Sequence, residues 1–117
     1  MVYLLMIYAN EADWTSKSEA EMAPMMREHD RLEQDLRRAG VYRGCGGLAP
    51  TSAPTTVRIR AGKPLITDGP FAETKEQFGG YYLVETENLD EALKFASRIP
   101  GMGDRAIEVR PVLDFRM

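Results

Sequence analysis

The chain holds a single histidine, His29, and a single cysteine, Cys45, so side-chain chemistry near neutral pH rests on very few groups. An imidazole titrates near neutrality and can take a proton from a phenol or an acidic carbon and return it elsewhere. A carboxylate on its other nitrogen fixes the tautomer and stabilises the imidazolium. General catalysis of this kind contributes about a hundred- to ten-thousand-fold, enough for an activated substrate but not for hydrolysing an amide unaided. The competing account of a lone histidine on an apolar helix stripe is a ring satisfied by a backbone carbonyl. Cys45 has no second cysteine or nearby histidine in sequence and reads as a reduced, idle thiol. One histidine and one cysteine cannot build a structural zinc site, and Met22, Met25 and Met26 read as core or interface filler rather than soft-metal ligands. No metal, haem or other cofactor is expected. A nucleophilic triad is not supported either, since no Ser or Cys stands in a recognisable elbow.

The stretch from Leu65 to Tyr82, LITDGPFAETKEQFGGYY, packs several incompatible local demands together. Leu65 to Thr67 suits a strand, and Asp68-Gly69-Pro70 ends it with a residue that bonds its own backbone, a permissive one and one of fixed φ. Ala72 to Phe78 carries helix-forming residues, with Thr74 able to cap a short turn, and Gly79-Gly80 releases the chain into the apolar run Tyr81 to Val84. A strand end, a turn and a new strand start meet there, so the rest of the chain reads as scaffold for this stretch. The simplest account of Asp68 alone is that of a turn former.

The scaffold can be laid out in order. Length predicts one domain over residues 1–117, and a net charge of −3 from interspersed carboxylates argues against nucleic acid as a partner. Val2 to Tyr8 is far too short to span a membrane and has no basic leader before it, so a cytoplasmic protein is expected, with no membrane partner. That run is apolar at both parities, as in a central strand covered on both faces. Trp14, in the polar segment Asn10 to Lys17, suits a core edge or an interface better than ligand recognition. Ser18 and Glu21 have capping-box spacing, and a helical pattern runs to Ala39 with Gly40 as terminator. Pro24 predicts either a separate first turn or a helix that begins near it. Met22, Met25, His29, Leu32, Leu36 and Ala39 form the buried stripe. A short irregular strand around Tyr42 to Leu48 follows. Thr55 to Arg60 and Leu65 to Asp68 form a hairpin turning at Ala61 to Pro64, and Tyr81 to Thr86 is a second buried strand. Asn88 and Glu91 cap a helix with the stripe Leu89, Ala92, Leu93 and Ala96, and Ala106 to Val112 is the last strand, with Ile107 and Val109 on one face.

This order predicts an α+β, ferredoxin-like sandwich with an inserted β-hairpin, one antiparallel sheet and helices on one face. The second apolar face of the central strands then needs cover, and a two-fold copy of the same sheet is the simplest source, so a homodimer is expected.

The run Asp68 to Gln77, followed by Gly79-Gly80-Tyr81-Tyr82, resembles the signature of the DGPF group of the YCII-related family. Leu89-Asp90-Glu91-Ala92 and Glu108-Val109-Arg110-Pro111 extend the resemblance over nearly the whole chain. It implies a dimeric α+β barrel type of assembly. It also implies a His-Asp pair, which here would be His29 as base and Asp68 as the carboxylate that orients it. The DGPF group is described mainly by its motif and by association with sigma-factor genes, while the wider family includes a dehydrochlorinase acting on chlorinated hydroquinones. Two function classes follow. One is a small-molecule enzyme, of lyase or isomerase type, performing proton transfer or elimination on a phenolic or enolisable substrate. Its pocket, between the helix stripe and the Asp68 turn, would draw substrate contacts from Gly69, Pro70, Phe71, Tyr82, Glu108 and Arg110. The other is a non-catalytic dimeric ligand-binding or regulatory module, working with a sigma factor, with the turn as an interface. Glu108 and Arg110 also suit a structural ion pair.

Overall fold

A computed structural model describes residues 1–116. Strand β1, Val2–Ala9, leads through a single turn α1, Ala12–Thr15, into the long helix α2, Glu19–Arg38. Strands β2 (Tyr42–Gly47), β3 (Thr55–Arg60), β4 (Lys63–Asp68) and β5 (Gln77–Glu85) follow, then helix α3 (Leu89–Ala96) and strand β6 (Arg105–Pro111). The main sheet has the order β2-β5-β1-β6 with antiparallel pairing, so β1 is central as its two-sided apolar run requires. The molecule is thus α+β. Strands β3 and β4 pair only with each other, as a separate two-stranded sheet rather than an extension of the main one.

Both helices pack on the face that presents Tyr3, Leu5, Tyr82 and Val84. Leu32 and Leu36 of α2, Ala92 and Ala96 of α3, and Ile99 just beyond it complete this core. Leu36, Val84 and Ala92 have no exposed surface, so this is where burial contributes most per residue. The opposite face carries Leu4, Met6, Tyr8, Tyr81 and Leu83, all half-buried. There Leu4 stands opposite Leu83, Met6 opposite Tyr81, and Tyr8 stacks on Phe78 with ring centroids 5.5 Å apart.

Helix α2 begins at the capping box expected of Ser18 and Glu21, with both reciprocal hydrogen bonds present, and ends before Gly40 at φ 75°. It is one helix running through Pro24, neither starting there nor broken there. Proline removes only one bond near the helix start, and Met22, Met25 and the residues beyond still share a stripe that faces the sheet. The predicted stripe divides: Leu32 and Leu36 are buried, Met22, Met25 and His29 are half-buried, and Ala39 is exposed. In α3, Asn88 accepts from Glu91 N–H as expected, but Leu89 and Leu93 stay substantially exposed, and Ile99 fills the core in their place.

The short helical turn that Thr74 could cap within Ala72 to Phe78 does not form. Thr74 Oγ1 donates to the Glu76 carbonyl instead of accepting from a first turn, Gln77 Nε2 donates back to Thr74, and β5 starts at Gln77, ahead of the glycines. The β3–β4 turn is Ala61-Gly62, with φ 51° and 76°, and Pro64 lies within β4 opposite Ile59. Two positive-φ residues give a tight two-residue turn whose twist matches the strands.

Candidate functional site

A cavity of about 410 Å³ opens between the N-terminal half of α2 and the end of the sheet where β2 and β5 carry glycines. Its position follows from a change along one helix stripe. The buried leucines of α2 sit over the core, whereas Met22, Met25, Met26 and His29, one to three turns earlier, line a cavity with Gly47 and Gly80, where the two strands present no side chains and Ile7 stands beside Gly80. Trp14 closes one side, lying over Gly79, where a Cβ would stand 3.2 Å from its ring. Ile7 of β1, Leu48 after β2, and Pro100 and Met102 after α3 add to the apolar lining.

His29 lies on this wall, and its Nδ1 is 2.7 Å from the Tyr82 hydroxyl, the two rings being stacked 15° from parallel. Tyr82 projects from β5 onto the core face and is buried. Burial pushes its phenol above the ordinary tyrosine range, so the hydroxyl stays protonated across physiological pH. His29 is held below its ordinary value of 6.5, chiefly because burial disfavours the imidazolium; Asp30 opposes this and Arg105 adds to it. The ring is therefore neutral at pH 7. With Nδ1 engaged, Nε2 has no hydrogen-bond partner among the described residues. When Nδ1 carries the proton and donates to the Tyr82 oxygen, Nε2 is a free base.

A second polar group borders the same cavity. The Cys45 thiol donates to Glu33 Oε1 at 3.5 Å and receives the Tyr42 hydroxyl at 3.2 Å. The Arg37 guanidinium lies 4.2 Å from the Tyr42 ring centroid and pairs with Glu33 at 2.9 Å. That bond holds the Glu33 carboxyl below the usual range, and the hydrogen bond to Cys45 pushes the Tyr42 phenol up to about 12, with burial adding to it. Among the described residues no group of His, Cys, Asp and Glu is arranged to hold a metal ion.

The predicted site residues fall in three places. His29 and Tyr82 come together on the cavity wall. Asp68, exposed at the end of β4 opposite Thr55, has no hydrogen bond to His29 and is not part of the lining, so within the chain the partner of His29 is a tyrosine and not a carboxylate. Gly69, at φ 95°, gives its N–H to Pro54 and its carbonyl receives Thr56 Oγ1. Pro70 is exposed; Phe71 is 73 % exposed and its carbonyl receives Arg58. The Asp68 turn is thus fastened to β3, away from the cavity. Glu108 and Arg110 form an exposed ion pair 2.6 Å apart, the structural alternative open to them. Of the Leu65 to Tyr82 stretch, only Gly79 to Tyr82 reaches the cavity. Residues to which the sequence assigns no site role contribute more: Trp14, the α2 methionines and Cys45. The signal for them was the paired glycines of β2 and β5, Gly46-Gly47 and Gly79-Gly80, which leave a strand pair without side chains under a methionine-rich helix.

Comparison with known proteins agrees on kinship. The model of the YCII-related domain matches residues 1–116. An uncharacterised protein of Rhizobium meliloti (strain 1021) is 38% identical over 116 residues, covering 96% of this chain and 92% of its own. A match along nearly the whole chain, by both routes, means that the chain belongs to the YCII-related family.

Proposed function

We propose that the protein is a small-molecule enzyme that moves a proton on a phenolic or enolisable substrate bound in the cavity beneath α2. The observation that carries this reading is the 2.7 Å contact between His29 Nδ1 and the Tyr82 hydroxyl on the cavity wall. In this mechanism Nε2 takes the proton, and the imidazolium keeps Nδ1–H donated to the Tyr82 oxygen. The tyrosine then does the orienting that a carboxylate would do, without fully offsetting the positive charge, which keeps the base weak and mostly unprotonated at pH 7. The proton returns from Nε2 to another atom of the substrate, or to a leaving group in an elimination.

A direct test is deuterium exchange into the carbon next to the carbonyl of 2-tetralone, an enolisable aromatic ketone, followed by NMR in D2O. The wild-type protein is expected to raise the exchange rate about a hundredfold or more above background. His29→Gln should return it to background, and Tyr82→Phe should lower it about tenfold. Equal rates with wild type and His29→Gln would discard the reading.

A ferredoxin-like protomer that dimerises through the outer sheet face is part of the same proposal. The strand order β2-β5-β1-β6 supports the first, and the apolar row Leu4, Met6 and Leu83 on the face away from the helices supports the second. A second reading, a regulatory module working with another protein through the DGPF turn, draws on the hairpin surface. There Val57, Ile59, Leu65, Ile66 and Phe71 are between 52 % and 74 % exposed. If deuterium exchange fails, partner binding through that surface becomes the reading to pursue.

A further inference from the structure

We propose that the cavity selects an uncharged, planar, aromatic-bodied ligand and rejects organic anions, with Asp30 and the space above Gly47 making the selection. The inference rests on the reading of this cavity as a small-molecule site and names the class of molecule it takes.

Charge is the first argument. The lining includes two carboxylates, Asp30 and Glu33, and neither lysine nor arginine. Arg37 pairs with Glu33 and offsets its charge, whereas the Arg105 guanidinium, which donates to the Ile99 and Gly103 carbonyls, acts on the His29 ring less strongly than Asp30 does. Asp30 has no ion-pair partner among the described residues. A neutral His29 supplies no compensating positive charge. A carboxylate, sulfonate or phosphate entering this space would lose hydration and meet like charge at its rim.

Shape is the second. Gly47 and Gly80 stand opposite each other on β2 and β5, in alternation with Cys45 and Tyr82, so they share the cavity-facing side of the sheet. Gly80 is needed for close packing, since a Cβ there would approach the Gly46 carbonyl to 3.0 Å. Gly47 is different. A Cβ at this position would meet nothing within 4 Å, and its φ lies outside the left-handed region, so neither packing nor backbone conformation demands glycine. What its missing side chain leaves is bare backbone on the cavity floor, with Ile7 the side chain beside it. The roof above it is made of Met22, Met25 and Met26, thioethers that adapt in shape and make favourable contacts with ring edges. A bare backbone floor and a soft sulfur-rich roof fit a planar ring better than a branched aliphatic body. The volume, about 410 Å³, is in the range that encloses a molecule of one or two rings.

The test uses two fluorescent probes with the same ring body, the neutral N-phenyl-1-naphthylamine and the anionic 8-anilino-1-naphthalenesulfonate, each titrated into the full chain. The neutral probe is expected to bind at one site per chain and about tenfold or more tighter than the sulfonate. Asp30→Asn should bring the two affinities within about threefold, because the repulsion that separates them is gone. Gly47→Val should weaken the neutral probe about tenfold or more, with Gly47→Ala giving a smaller loss in the same direction should the valine variant fail to fold. Sulfonate binding as tight as that of the neutral probe in the wild type would overturn the inference, as would Gly47→Ala and Gly47→Val that leave neutral-probe binding unchanged. Probe binding needs no proton transfer, so His29→Gln should retain the selectivity. Loss of tetralone exchange with selectivity intact therefore removes only the catalytic reading, and exchange with an anion-preferring cavity removes only this one.

Discussion

At the scale of single residues, the protein turns on an imidazole kept neutral by its surroundings. Burial lowers the His29 midpoint from 6.5, while in the unfolded chain it titrates at the ordinary value. Between the two midpoints the unfolded chain binds more protons, so stability rises with pH in that window. The contribution is complete above pH 6.5 and is lost as pH falls through the folded midpoint. Urea denaturation from pH 5 to pH 8 is expected to show this slope, and His29→Gln should flatten it. The imidazole signals of the sole histidine can be followed by NMR without assignment mutants. Their midpoint should lie below 6.5 in the wild type and fall further in Tyr82→Phe, which removes the oxygen that accepts Nδ1–H in the charged form. Asp68→Asn should leave it in place. A midpoint that moves with Asp68 and not with Tyr82 would restore the carboxylate as the partner of His29.

At the scale of elements, α2 does two jobs with one stripe. Its C-terminal half supplies Leu32 and Leu36 to the core, and its N-terminal half supplies the cavity roof. Stability and ligand binding should therefore separate along the helix. Leu36→Ala, at a position with no exposed surface, should cost about 2–5 kcal/mol in chemical denaturation. Met25→Ala should change stability much less and neutral-probe affinity much more, because the methionine borders space instead of packed side chains. For α3, Asn88→Ala should cost about 1 kcal/mol by removing the acceptor for Glu91 N–H. Thr74 shows the limit of cap reasoning: its hydroxyl donates to a carbonyl two residues on, and the same residue types that open a helix elsewhere here hold an irregular loop before β5.

At the scale of the whole molecule, the sheet has one face covered by helices and one that is not. The outer row of Leu4, Met6 and Leu83 is the surface through which the proposed dimer would form. Sedimentation equilibrium is expected to give twice the chain mass of 13.2 kDa, and Met6→Asp should give the monomer with an unchanged circular dichroism spectrum. A wild-type monomer at micromolar concentration would leave the outer face without that role.

Much of the architecture was legible in the residues themselves. Two-sided apolar character made β1 central, Ser18 with Glu21 and Asn88 placed two helix starts, and Gly40 placed a helix end, because caps and periodicity act over a few residues. His29 and Tyr82 could each be named as candidates, but not as partners. They are 53 residues apart, and only the antiparallel docking of β5 on β1 beneath α2 brings Nδ1 to the hydroxyl. The same holds for the separation of Asp68 from the cavity. Turn chemistry marked Asp68-Gly69-Pro70 as a strand end, yet where that turn sits depends on β3 and β4 pairing as a sheet of their own, held by Thr56 and Arg58. Local sequence determines where elements begin, end and bury a face. Which side chains converge on one cavity is decided by strand order and by where large side chains are missing between distant elements, and only the folded chain settles both.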